Sequence, residues 1–320
     1  MEPFAPTLSL VAPVYNESGN LEPLLAEVHA VLDSYPSDWE LILVDDGSSD
    51  GTRQELSELA VRDPRLRAIY LNRNFGQTAA LSAGIDTCRG EVVITLDADL
   101  QNDPADIPAV LKKMGEGYDV VSGWRKNRQD DFVSRTLPSR MANGLISWIT
   151  GVQLHDYGCS LKAYYRDTLQ SFRIYGEMHR FLPALCTWRG ARVTEMVVNH
   201  RARTRGVSKY GISRTFRVIL DLLTVKFLLE YSTKPMRVFG SWGLGLGGLG
   251  FSVALYLSFL KIAMNEQIGN RPLLLLSALL IIVGLQLIML GLISELLVRV
   301  YYESQGKKVY EIAHPRRRQH

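Results

Sequence analysis

Asp97-Ala98-Asp99-Leu100-Gln101 sets two carboxylates directly behind the apolar run Val92-Val93-Ile94-Thr95-Leu96. Residues two apart on an extended chain point to the same side, so both acids can reach one cation. Carboxylates are hard oxygen donors suited to Mg²⁺ or Mn²⁺, and such ions commonly share their coordination with phosphate oxygens. Two like charges at a strand end would repel without a counter-charge. The spacing therefore predicts a divalent-cation site beside a diphosphate, held by Asp97 and Asp99.

Other segments carry chemistry too. Val44-Asp45-Asp46-Gly47-Ser48 follows a second apolar run, although these residue types also suit a turn with a helix N-cap. Gly123-Trp124-Arg125-Lys126-Asn127-Arg128 and Arg135-Thr136-Leu137-Pro138-Ser139-Arg140 are rich in arginine. The guanidinium presents a planar fork of donors that matches phosphate oxygens. A solvated basic loop is the alternative reading.

These groups need a frame. Thr7–Val14, Trp39–Val44, Leu66–Leu71, Val92–Leu96 and Asp119–Ser122 read as short buried strands. Leu21–Leu32, Thr52–Val61, Thr78–Cys88 and Ile107–Met114 suit helices between them. Alternating strands and helices predict an α/β, mostly parallel sheet whose ligands gather at the carboxyl ends of its strands. Asp45-Asp46 and Asp97/Asp99 both fall at such ends.

The rest of the chain has another character. Its averages over 320 residues (47% hydrophobic, net charge +3) merge a soluble part with a membrane part. Residues 238–260 and 272–294 are uncharged stretches of 23 residues each. At about 1.5 Å per residue each forms a helix of roughly 35 Å, enough to cross a hydrocarbon core of about 30 Å. Burial of such a hairpin in a soluble core is the alternative. Residues 200–217 carry Arg201, Arg203, Arg205, Lys209, Arg214 and Arg217 with no acid, and Lys307, Lys308, Arg316, Arg317 and Arg318 follow the second stretch. The positive-inside rule then puts both flanks in the cytoplasm. Arg214, Arg217, Asp221 and Thr224 form a polar stripe on an otherwise apolar segment, which predicts an amphipathic helix in the membrane interface over 212–235. The expected division is 1–211, 212–235, 236–302 with two transmembrane helices, and a basic tail over 303–320.

Gly243-Leu-Gly245-Leu-Gly247-Gly248-Leu-Gly250 matches a dinucleotide-binding pattern by letter. It lies inside an apolar span rather than between a strand and a helix, so small-residue helix packing is the better reading. The partner is either the second span or another copy of the chain in a homo-oligomer. Cys88, Cys159 and Cys186 lack metal-ligand spacing, and a cytosolic domain keeps them reduced. No signal peptide is visible at Met1-Glu2-Pro3-Phe4.

Four segments occur in a telling order: Pro13-Val14-Tyr15-Asn16-Glu17, Val44-Asp45-Asp46-Gly47-Ser48, Asp97-Ala98-Asp99-Leu100-Gln101 and Asp156-Tyr157-Gly158-Cys159. Over residues 6–211 the chain resembles the inverting GT-A (Rossmann-like) glycosyltransferases of family 2. More narrowly it resembles polyisoprenyl-phosphate glycosyltransferases, the group of dolichol-phosphate-mannose synthases and bactoprenol glucosyltransferases. The resemblance implies that Pro13, Tyr15, Glu17 and Asp46 line the nucleotide pocket. It implies Asp97, Asp99 and Gln101 as ligands of Mg²⁺ or Mn²⁺ against the donor diphosphate. Arg205 and Lys209 would approach that diphosphate from the membrane side. Arg125, Arg135 and Ser139 would bind the acceptor phosphate, and Asp156 falls at the family's base-like position.

The implied activity is transfer of a hexose to a polyprenyl phosphate of undecaprenyl or dolichyl type, with UDP-glucose the first expectation for the donor. A lipid monophosphate has a second pKa of about 6, so it is already a nucleophilic anion near neutrality. Catalysis then consists of alignment and stabilisation of the departing diphosphate. Asp156 is either a base or an orienting contact, and His155 beside it reads as structural. The resemblance to the bacterial branch implies a multi-pass inner-membrane protein with both termini cytoplasmic and no nucleic-acid partner. A processive polysaccharide synthase is one alternative, although Thr187-Trp188-Arg189 does not match its Gln-x-x-Arg-Trp segment. A non-catalytic membrane scaffold is the other, and the intact Asp97, Asp99 and Gln101 argue against it.

Overall fold

The structure is a computed structural model describing residues 7–126, 143–144, 146–147, 150–170, 174, 176, 178–201, 234–265, 267–269 and 272–304. The chain divides after Val225 into two compact units.

The first unit opens with β1 (Leu8–Val14), α1 (Leu21–Leu32), β2 (Trp39–Asp45), α2 (Thr52–Arg62), β3 (Leu66–Tyr70), α3 (Gln77–Thr87) and β4 (Val92–Thr95). A short 3-10 turn (Pro104–Asp106) leads into α4 (Ile107–Gly115) and β5 (Val120–Trp124). These elements coincide with the periodicity to within two residues at almost every end. In α1 the apolar side chains Leu21, Leu24, Leu25, Val28 and Leu32 are all buried, the i, i+3, i+4 stripe of a helix laid on a sheet. The strands read as continuous apolar runs because helices cover both faces. Leu10, Leu43, Ile94 and Val110 are fully enclosed in the core.

The sheet has seven strands in the order β3-β2-β1-β4-β6-β5-β7, the last two in sequence being β6 (Lys162–Tyr165) and β7 (Val193–Val197). β1, β2, β3, β4, β5 and β7 run one way, and β6 runs against β4 and β5. The sheet is thus mostly parallel, as expected from the sequence, with one reversed strand wedged between two parallel ones. Its register sets Lys162 opposite both Thr95 and Ser122. β6 and β7 are short and each carries a charge, Lys162 and Glu195, so neither stands out as an apolar run. Two short helices, α5 (Arg166–Gln170) and α6 (Leu182–Trp188), connect them around a 3-10 turn (Met178–Arg180).

The second unit contains α7 (Pro235–Ala263) and α8 (Pro272–Ser304). Both are long and apolar enough to cross a membrane. Only 22% of the most apolar stretch of α7 and 11% of that of α8 is buried within the protein. A core helix of a soluble domain would show the reverse, so hydrocarbon is the medium these surfaces require. The helices extend past the uncharged stretches and include Arg237, Lys261 and Glu295. The expected interfacial helix over 212–235 and the basic tail fall almost wholly outside the described residues.

The glycines of α7 meet the chain's own second helix. A Cβ on Gly284 would stand 2.6 Å from Gly243 O and 2.6 Å from Gly247 N, and one on Gly250 would stand 2.8 Å from Ser277 O. Backbones this close leave no room for a methyl group. Gly284→Val should force α7 and α8 apart at a cost of about 1–3 kcal/mol. A lowered thermal midpoint in detergent, with weaker cross-linking between cysteines placed across the two helices, is the expected result.

Candidate active site

Two loops meet beyond the carboxyl ends of β1 and β2. After β1, the backbone N–H of Asn16 donates to Ser48 Oγ at 2.9 Å and that of Glu17 to Thr52 Oγ1 at 2.9 Å. Ser49 N–H returns a bond to Asn16 Oδ1 at 2.8 Å, and Asn20 Nδ2 donates to Glu17 Oε2 at 2.7 Å. The segment holding Tyr15 and Glu17 is thus laced to the turn after β2, with Tyr15 36% exposed above it.

Asp45 and Asp46 divide the work of that turn. Asp45 is fully buried, accepting from Ser48 N–H at 3.0 Å and Arg53 Nε at 3.0 Å. Asp46 accepts from the N–H groups of Phe75 at 2.7 Å and Gly76 at 2.9 Å. Its carboxylate therefore pins the loop that opens α3. Between it and Ser48, Gly47 sits at φ +71°, and a Cβ there would lie 2.4 Å from Arg73 C. Only glycine fits that approach.

Asp97 and Asp99 leave the end of β4 together. Leu100 takes a left-handed conformation at φ +62°, which turns the chain sharply behind them. Asp97 Oδ1 accepts from Gln77 Nε2 at 2.9 Å, and Asp99 Oδ1 accepts from Gln101 N–H at 3.2 Å. Asn102 Oδ1 receives Ser160 Oγ–H at 2.6 Å and Asp97 N–H at 3.3 Å. Among the described residues no cluster of three or more His, Cys, Asp or Glu side chains forms a metal site. The donors on offer are the two carboxylates and the neighbouring Gln101 amide. Such a partial, all-oxygen shell fits Mg²⁺ or Mn²⁺ whose other ligands are water and diphosphate.

Arg201 was expected with the basic run at the membrane. Instead its N–H donates to Gln101 O at 3.0 Å, and its guanidinium holds Glu27 at 2.7 and 2.8 Å and Asp103 at 2.7 Å. It belongs to the bracing of the Asp99–Asn102 loop.

Just after β5, Arg125 forms a buried bidentate pair with Asp156. Arg125 Nε donates to Asp156 Oδ2 at 2.7 Å and Nη2 to Oδ1 at 3.0 Å. The backbone N–H groups of Arg125 at 3.3 Å and Gly158 at 3.0 Å complete the set. A carboxylate offers about four lone-pair sites, and these four bonds engage both oxygens. Burial opposes the Arg125 charge, yet the Asp156 carboxylate holds its pKa above the ordinary value. His155 stacks on Trp124 with ring centroids 4.3 Å apart, and its Nδ1 meets Glu195 Oε1.

Sequence reasoning passed over a small cavity beside Asp97. Gln77, Tyr157, Lys162, Tyr164, His179 and Arg180 are among the residues that line it. Burial lowers Lys162 to about 8 and His179 to about 3. A lone lysine in the segment Ser160-Leu161-Lys162-Ala163-Tyr164 was the available signal. Cys159, on the same wall, is pushed up by burial to about 11 and so stays a thiol rather than a nucleophile. Arg135, Ser139, Arg205 and Lys209 lie outside the described residues.

The Glycosyl transferase family 2 domain matches residues 9–178. Dodecaprenyl-phosphate galacturonate synthase of Rhizobium johnstonii is 49% identical over 95% of this chain and 91% of its own length. The chain belongs to glycosyl transferase family 2. Undecaprenyl-phosphate 4-deoxy-4-formamido-L-arabinose transferase of Aeromonas hydrophila subsp. hydrophila is 37% identical, with 95% of this chain and 92% of that protein aligned. The fold resembles glucosyl-3-phosphoglycerate synthase from Mycobacterium tuberculosis in complex with Mn²⁺ and UDP-glucose, at a TM-score of 0.55 and 19% identity over 69% of this chain and 79% of that one. This glycosyltransferase thus has the GT-A architecture that the four segments predicted.

The buried pair yields a test. Asp156→Asn leaves the Arg125 charge enclosed without its counter-ion and should lower stability by about 3–5 kcal/mol. Arg125→Met combined with Asp156→Leu should recover much of that loss in thermal melts. If Asp156 orients Arg125, the residual transfer activity of Asp156→Asn should keep the wild-type shape of its pH–rate profile; loss of the rising limb would assign Asp156 as the base.

Proposed function

We propose that this glycosyltransferase moves a hexuronic acid, galacturonic acid first, from its UDP-activated form to a polyprenyl phosphate at the cytoplasmic membrane face, with inversion. The observation that carries this reading is the 49% identity to a dodecaprenyl-phosphate galacturonate synthase, spread over 95% of the chain. It moves the donor away from the UDP-glucose expected from the sequence. A second reading, an uncharged formamido-arabinose donor, is favoured by the 37% identical transferase. The two sugars differ in the carboxylate that only the uronic acid carries.

In this mechanism the acceptor phosphate attacks as an anion, so no proton need be removed at the reacting oxygen. Arg125, held in place by Asp156, directs part of its guanidinium toward that phosphate, with Arg135 and Ser139 as further donors. Pro13, Tyr15, Glu17 and the loop pinned by Asp46 hold the nucleotide. Asp97, Asp99 and Gln101 are the groups that would hold Mg²⁺ or Mn²⁺, which when bound neutralises charge on the departing diphosphate. Arg205 and Lys209 add positive charge there from the membrane side. The two apolar helices anchor the enzyme as a multi-pass inner-membrane protein whose soluble unit works on the lipid headgroup.

Enzyme in detergent or proteoliposomes, supplied with polyprenyl phosphate and Mg²⁺ or Mn²⁺, should form lipid-phosphate-sugar from UDP-galacturonic acid in preference to UDP-glucose and the UDP-formamido-arabinose donor. Chelation should abolish turnover, and re-addition of the cation should restore it. Asp99→Ala should reduce transfer by about 10²-fold or more while leaving membrane insertion intact. Preferred use of the formamido-arabinose donor would select the second reading, and long polymer would select a processive synthase.

A further inference from the structure

The reversed strand β6 brings a cation to the sugar side of the site. Lys162 lies directly opposite Thr95 in the antiparallel pair, so their side chains share a face of the sheet. Asp97 follows Thr95 by two residues and Tyr164 follows Lys162 by two. Lys162, Tyr164 and Asp97 accordingly line one cavity of about 60 Å³ together with His179 and Arg180.

The cavity's chemistry is donor-rich. Lys162 is 3% exposed, and its ammonium donates to Tyr157 O at 2.9 Å. An ammonium carries three donors, and among the described residues no carboxylate forms an ion pair with this one. The Asp156 carboxylate, which favours the charged form of Lys162, is engaged by Arg125. The Tyr164 hydroxyl is buried with no hydrogen-bond partner among the described residues. The Arg180 guanidinium adds a second cation on the same wall. A buried ammonium and a buried hydroxyl with unused donors are costly to keep dry unless a ligand supplies acceptors. Thr78 Oγ1 donates to Gly176 O at 2.5 Å and meets His179 Nδ1 at 2.6 Å. His179 therefore donates through Nδ1 and keeps Nε2 as an acceptor for a sugar hydroxyl.

We propose that Lys162, Tyr164 and Arg180 form the subsite that receives the carboxylate of the donor sugar, and so select a hexuronic acid over the corresponding neutral hexose. This rests on the uronic-acid reading above. The adjoining carboxylates at 97 and 99 address the diphosphate, and the reversed strand addresses the sugar.

The test compares UDP-galacturonic acid with UDP-galactose, which has the same ring configuration and diphosphate but carries a hydroxymethyl group in place of the carboxylate. Wild-type enzyme should show the higher kcat/KM for the uronic acid. Lys162→Met should lower kcat/KM for UDP-galacturonic acid by roughly 10- to 100-fold, with a much smaller fall for UDP-galactose and an unaltered inhibition constant for UDP. Lys162→Arg should retain part of the preference. Tyr164→Phe removes a hydroxyl without a described protein partner, so it should fold normally and still erode the preference. An equal fall for both donors, or weakened UDP inhibition, would assign Lys162 to the diphosphate or to the fold and overturn the subsite. A wild-type enzyme without preference for the uronic acid would overturn the functional reading itself, and the subsite with it.

Discussion

Negative charge concentrated at one sheet edge is the constraint that organises this molecule. Asp45, Asp46, Asp97, Asp99 and Asp156 all arrive where parallel strands end or where the reversed strand begins. Carboxylates gathered at one end of a sheet are best tolerated when each meets compensating donors. Asp45 has Arg53 and the Ser48 N–H, Asp46 has two loop N–H groups, and Asp156 has Arg125. The bracing at this edge is therefore also its electrostatic balance, and each structural acid fixes a loop that a functional group needs.

The same logic separates look-alike residues. Asp45 and Asp46 are adjacent in sequence, yet one anchors an arginine and the other pins the entrance of α3. Asp156 falls at the base-like position only by resemblance, and its oxygens accept from Arg125 and Gly158. Residue type alone treats these acids as equivalent; their partners distinguish positioning from chemistry.

The first five strands and first four helices were legible because each apolar run is long enough to show its period and is closed by turn residues. The carboxylate pair was legible because it interrupts such a run. β6 and β7 escaped because four or five residues containing a charge carry little periodic signal, and with them went the reversal of direction that places Lys162. Arg201 was misplaced for a related reason. A run of basic residues looks uniform along the chain, while the fold draws its first member into a pair with Glu27 and Asp103. The glycine stripe could be read as helix packing, but only coordinates show that its partner is Gly284 of the same chain.

The antiparallel insertion of β6 has an evolutionary consequence. On the proposed assignment, the nucleotide and cation residues reside on parallel strands and their exit loops, whereas the cavity assigned to the sugar draws Lys162 and Tyr164 from a strand that enters from the opposite direction. Drift along β6 can retune which sugar is accepted without rewriting the elements that grip the leaving group. A lineage of such transferases can thus diversify its glycan repertoire while inheriting one unaltered reaction centre.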